Sequence, residues 1–145
     1  MADAGPTLAW EQVTAHVMRC RLPFCDVTVG VVHDAGDALI VDTGTTLAEA
    51  GAVARDVEVL TGCTVGHVVL THNHFDHILG HSVFTGARMY CLPRVVATLA
   101  EGAQALRAAA IAHGADAVEV DRALAASSAP RVAAGESIVR LGGTS

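Results

Sequence analysis

Lysine is missing from this chain. All nine basic residues are arginine, against fifteen acidic ones, and the formal charge is −6. An acidic chain without a basic cluster lacks the electrostatic footprint for nucleic-acid phosphate, so a nucleic-acid partner is not expected. Aromatic residues make up only 3% of the sequence, which leaves alanine, valine and leucine to fill the core. Charge is sparse too, at 17% against 52% hydrophobic residues, a balance that excludes disorder as the overall state. The start, Met1 to Thr7, has neither the positive n-region nor the apolar h-region of a secretory signal, and a cytoplasmic location is expected. The longest apolar stretch, Val95 to Val118, is interrupted by Glu101, Arg107 and Asp116; it reads as helix, not as a membrane span. Paired C-x-x-C spacing is absent as well. Cys20, Cys25, Cys63 and Cys91 are scattered, the pattern of buried thiols in a reducing compartment. Cys20 and Cys25 could meet across a turn at Pro23, but nothing in the sequence raises a disulfide or metal pair there. With the abundance of alanine, the missing lysine suggests a GC-rich genome.

What is present fits one domain over 1–145, long enough to bury a real core. Leu8 to Leu22 reads as one or two strands stopped by Pro23. Val27 to His33 and Ala38 to Val41 read as antiparallel strands joined by the turn Asp34-Ala35-Gly36-Asp37, with His33 exposed at the shoulder. Thr46 and Glu49 match a capping box, and Leu47, Ala50, Ala54, Val57 and Leu60 recur at helical spacing until Gly62. Val65 to Leu70 reads as a buried strand. A short helix around Ile78, Leu79 and Val83 and a strand at Ala87 to Cys91 follow. Pro93 then opens alanine-rich helix from Val95 to about Ala112, Gly114 interrupts it, and Val118 to Ala126 continues as a second helical stretch. Ala133 to Leu141 reads as strand, turn, strand.

One stretch dominates, Thr71-His72-Asn73-His74-Phe75-Asp76-His77, placed directly after Val68-Val69-Leu70. Three imidazoles and a carboxylate in six positions form a ligand set suited to zinc. In extended chain, residues two apart share a side, so His72 and His74 can share one ion. A turn into helix at Phe75 redirects Asp76 and His77 towards a second position, and two neighbouring metals are a known device for splitting bonds with water. His67 and His81 lie off this pattern and read as solvated or outer-sphere histidines. His113 has no ligand-type cluster around it.

The H-x-H-x-D-H pattern after a buried strand, with Asp42-Thr43-Gly44 closing the strand Ala38 to Val41, resembles the metallo-β-lactamase-fold hydrolase superfamily. The resemblance implies an α/β (α+β) fold, an αββα sandwich, of which this chain matches the first half and is incomplete at its C-terminus. It implies zinc, one or two ions, or iron, held by His72 and His74 at one position and by Asp76 and His77 at the other. Asp76 would also orient the attacking water. Asp42 reads equally as a carboxylate that orients ligands and as a turn residue after a strand. The implied activity is hydrolysis of a small ester, thioester, lactone or amide by activated water. In the resembled family a third histidine, a bridging aspartate and a final histidine follow; here Glu136 to Gly143 resembles the strand and turn before that third histidine, and no histidine follows His113.

Two other readings stand beside this one. The chain could be a truncated, non-catalytic remnant or an interaction subunit that keeps partial metal affinity. With one sheet uncovered it would dimerise, aggregate or borrow a completing subunit. An apolar run before D-T-G also resembles the aspartic proteases. That reading leaves the histidines unexplained, and the alanine-rich helices argue against it.

Overall fold

The computed structural model describes residues 5–127 and 141. Six strands form one sheet in sequence order: β1 (Trp10–Thr14), β2 (Val17–Arg21), β3 (Thr28–Asp34), β4 (Asp37–Val41), β5 (Thr64–Val69) and β6 (Arg88–Tyr90). The first four are antiparallel neighbours; β5 and β6 then add in parallel. The switch follows from the connections. A two-residue turn, Ala35-Gly36 with both φ positive, folds β3 back on β4. From β4 to β5 the chain crosses over through α1 (Leu47–Thr61), which returns it in the same direction. Past the sheet come α2 (Phe75–Ile78), a 3-10 turn at His81–Val83, and then α3 (Pro93–Glu101), α4 (Ala103–Ala112) and α5 (Ala117–Ala126). The strand–turn–strand expected at Ala133 to Leu141 lies outside the described residues except for Leu141.

Alternation along β2, β3 and β4 buries one face: Met18, Cys20, Val29, Val31, Ala38 and Ile40. The helices cover it with Ala50 and Val53 of α1, Leu106 and Ala110 of α4, and Val120 and Ala123 of α5, in one continuous core. The opposite face is only half covered, and Val32 there is 36% exposed.

The capping box forms as the sequence requires. The Glu49 amide donates to Thr46 Oγ1, and Glu49 Oε1 accepts from the Thr46 and Thr45 amides. Gly62 closes α1 in the left-handed region. The buried stripe of α1 is rotated from the expected one, however. Leu60 is 43% exposed, while Val53 and the carboxylate of Asp56 are fully buried. The N-terminal segment causes this. The amides of Thr7 and Leu8 and the indole N–H of Trp10 all donate to Asp56, at 2.7–2.8 Å, clasping the chain's start against the helix.

The alanine-rich stretch is not one helix. It breaks at Gly102, where α3 and α4 meet with a bend of 88°. A Cβ at Gly102 would lie 2.8 Å from the Thr98 carbonyl oxygen, so only glycine fits the corner. Among the described residues no single helix is long and apolar enough to cross a membrane; α3 and α4 together have the length and composition but not the straightness.

Candidate metal centre

The motif leaves the sheet at the C-terminal end of β5, beside the end of β4. Asp42, the residue after β4, is the hub. Its backbone sits in the left-handed region at φ 68°, a conformation that aspartate tolerates better than most residues. Its amide donates to the Val69 carbonyl at 2.8 Å. The carboxylate is 3% exposed and accepts from the Thr71 amide (2.9 Å), from the Thr71 hydroxyl (2.8 Å) and from His77 Nδ1 (2.7 Å). Thr43 fixes the same histidine from its other side, through its amide and its hydroxyl, both 2.9 Å from the His77 carbonyl.

These bonds decide tautomers. A carboxylate accepts only, so His77 carries a proton on Nδ1, and Nε2 is the nitrogen left open for a ligand in the neutral ring. Thr71 Oγ1 also lies 2.8 Å from His72 Nδ1. A hydroxyl has one proton, and Asp42 takes it; His72 Nδ1–H therefore donates to Thr71, and its Nε2 is left open as well. Burial first, and then the neighbouring His77 and His74, push the His72 imidazole below its ordinary value and favour the neutral ring a metal needs. The role of Thr71 was not foreseen. Its only signal in the sequence is its place between the strand and the first histidine.

The structure brings the four expected ligand residues together. The His72 ring centroid is 4.6 Å from that of His74 and 4.1 Å from that of His77, and His77 Nε2 is 3.8 Å from Asp76 Oδ1. His74 is exposed, while His72, Asp76 and His77 are half-buried. In kind the donors fit a zinc or iron ion. In number they fit it only in part: among the described residues, no group of three or more histidine, cysteine, aspartate or glutamate side chains is set to close on one ion.

The other histidines separate clearly. His81, expected to be solvated or outer-sphere, is buried, with Nδ1 2.9 Å from the Ile78 carbonyl. It packs where Gly80 passes so close to α1 that a Cβ would meet Thr43 O at 2.6 Å and Ala50 Cβ at 2.7 Å. His67 is half-buried and stays away from the motif; it bridges Asp37 and Tyr90 on the half-covered sheet face. His33 is half-buried and its ring contacts His16. Cys20 and Cys63 are buried, Cys25 and Cys91 half-buried, and all four thiols are free.

Beside the motif opens a cleft of about 640 Å³. Asn73, His74 and Asp76 of the motif line it together with Thr98, Leu106 and His113. Asn73 Nδ2 donates to Thr98 Oγ1 at 3.0 Å and ties the motif loop to α3. The bend at Gly102 carries α4 back alongside, where the His113 ring meets that of Phe75 at 5.3 Å.

Known proteins agree with this architecture. Similar solved structures include a metallo-β-lactamase from Erythrobacter litoralis (17% identity, TM-score 0.54, covering 63% of this chain and 44% of that one). The subclass B3 metallo-β-lactamase MEM-A1 from a soil metagenome gives 18% identity and a TM-score of 0.55, covering 67% and 38%. The mono-zinc form of FIM-1 from Pseudomonas aeruginosa gives 14% and 0.52, covering 66% and 46%. At these identities the likeness is one of fold, and the chain spans less than half the length of each. A search of curated proteins finds no match. The family model of the metallo-beta-lactamase superfamily matches residues 22–135. By that match, which takes in Asp42, the whole histidine motif and the residues that line the cleft, the chain belongs to the metallo-β-lactamase superfamily.

Proposed function

We propose that the protein is a metal-dependent hydrolase acting on a small ester, thioester, lactone or amide. The observation that carries this reading is the buried Asp42, which holds His77 directly and His72 through Thr71, each with its Nε2 left open beside His74 and Asp76. Such outer partners fix the ring and raise the basicity of a ligating imidazole. His72 and His74 would hold one ion, Asp76 and His77 a second, with zinc the first choice and iron the other. The bound ion would supply Lewis-acid polarisation of a carbonyl and a lowered pKa for water. Asp76 would also orient that water. Asp42 does not touch substrate in this scheme; it keeps the rings in register. The substrate is a small molecule, with no nucleic-acid or membrane partner, and the four free thiols suit a reducing cytoplasm.

A second reading, a non-catalytic interaction subunit with partial metal affinity, is favoured by one observation: the described residues offer no three donors to one ion. On that reading a second copy or a completing subunit brings the missing donors.

Metal content of the purified protein, taken with its oligomeric state, tests both. The hydrolase reading expects one or two zinc or iron ions per chain, lost in the double variant His72→Ala/His74→Ala, and esterase or thioesterase activity lost in His74→Ala. Folded protein that carries no metal sinks it. Metal without hydrolysis, in an assembly with a second copy or a partner, supports the interaction subunit.

A further inference from the structure

We propose that the Tyr90 hydroxyl, with His67 as its base and Asp37 behind that base, is a nucleophilic site that takes an acyl group from a small activated donor. The site lies on the half-covered face of the sheet and uses none of the residues of the histidine motif. Its first support is a break in strand register. β4 and β5 run in parallel with Ala38 opposite Val65 and Leu39 opposite His67, so Gly66 is an extra residue in β5. Without that bulge His67 would stand opposite Ile40, whose side chain is in the core. The bulge turns the imidazole to the face that Asp37 shares with Leu39. Gly66 also leaves room for the carboxylate: a Cβ there would lie 2.5 Å from Asp37 Oδ1.

The three groups are oriented in series. Asp37 Oδ1 accepts from the Ala38 amide at 3.0 Å, and Oδ2 lies 3.1 Å from His67 Nε2. The carboxylate accepts only, so Nε2 carries a proton. In the neutral ring Nδ1 is then an acceptor, and the Tyr90 hydroxyl donates to it at 3.0 Å. A hydroxyl within hydrogen-bond reach of a base, with the base held by a third group, is the arrangement that activates a nucleophile. All three residues are half-buried, sheltered enough to hold this geometry and open enough to meet a small reagent. In the transfer, Tyr90 Oη bonds to the acyl carbon as the bond from that carbon to its leaving group breaks. The leaving group departs with the electron pair of that bond. The hydroxyl proton passes to His67 Nδ1, Asp37 stabilises the imidazolium, and solvent then takes the proton from the ring.

The chain has one tyrosine and no lysine, so the ester is easy to follow. The intact chain and N-acetyltyrosinamide are treated side by side with N-acetylimidazole near neutral pH, and O-acetylation of Tyr90 is timed by peptide mapping. General-base assistance is typically worth about 10²–10⁴-fold, so Tyr90 should react at least about tenfold faster than the free phenol. His67→Gln should bring it down to the rate of the free phenol or below, and Asp37→Asn should fall between the two. A Tyr90 that reacts no faster than the free phenol overturns the proposal. So does a full rate in a His67→Gln protein whose circular dichroism matches the parent. An unchanged rate in Asp37→Asn overturns the role given to Asp37. The comparison with the free phenol needs no variant, so it decides the matter even where a substitution unfolds the chain.

Discussion

Two histidine–aspartate pairs, one just past the end of β4 and one on the sheet itself, behave differently. In one, His77 Nδ1 meets Asp42 at 2.7 Å at the C-terminal end of β4, and Nε2 is left among the other imidazoles. In the other, His67 lies along the half-covered face, with Nε2 3.1 Å from Asp37 and Nδ1 3.0 Å from the Tyr90 hydroxyl. The first ring is held by one nitrogen and open at the other. The second is closed at both. An imidazole–carboxylate contact is therefore no sign of a ligand by itself; what distinguishes the two is the free nitrogen and the company it keeps.

The strongest way to break this comparison is Asp42→Ala. Removing a buried carboxylate that accepts from Thr71 and His77 should cost about 1–3 kcal/mol from the unpaired donors alone. Alanine at φ 68° adds backbone strain. Zinc affinity should fall by about 10–100-fold as His77 and His72 lose their fixed tautomers. Chemical denaturation and competition with a zinc indicator would read the two losses. Asp42→Asn, which tolerates the same backbone, should recover most of the stability and little of the affinity. If zinc binding survives Asp42→Ala, the first pair is no different in kind from the second.

A smaller effect is expected at the closed pair. His67→Gln should lower stability by about 1 kcal/mol or less, because the pair is partly exposed to solvent, and leave zinc binding unchanged. Zinc lost here as fully as in the Asp42 variant would erase the distinction. The smallest effect sharpens the comparison by bounding it. Both pairs depend on the sheet, and burial, with Asp56 second, pushes the buried Cys20 thiol up to about 12 from 9.0. A raised thiol value means the folded state disfavours the thiolate. Stability is then fully present below about 9 and is lost as pH rises towards 12. Circular dichroism with pH should show no loss from this source near neutrality, so the variants above report on the pairs and not on the sheet.

Local signals carried the first half of the fold. The turn at Ala35-Gly36, the capping box at Thr46 and Glu49, and the left-handed Gly62 all formed where the sequence places them, because each is settled by residues a few positions apart. The motif was legible for the same reason: its four side chains lie within six positions. What escaped was settled at a distance. Asp56 is buried by an N-terminal segment 46–49 residues away, which rotates the buried stripe of α1 off Leu60. His67 finds Asp37 thirty residues back. Gly102 within alanine-rich helix looks tolerable by propensity; its bend shows only once Thr98 is tied to Asn73 and α4 must return beside the motif. The cleft could not be read because His113, isolated in sequence, becomes a wall of the site only through that bend.

The clasp at Asp56 has a consequence outside the site altogether. The chain has one tryptophan, and its indole N–H is committed to that carboxylate. Closing roughly the first fifty residues into a loop is a slow, entropically opposed event compared with winding α1, since distant contacts reward the chain only after the loop is shut. The protein thus carries its own optical clock: Trp10 emission reports when the N-terminal loop has closed, whether or not a metal has arrived at the motif.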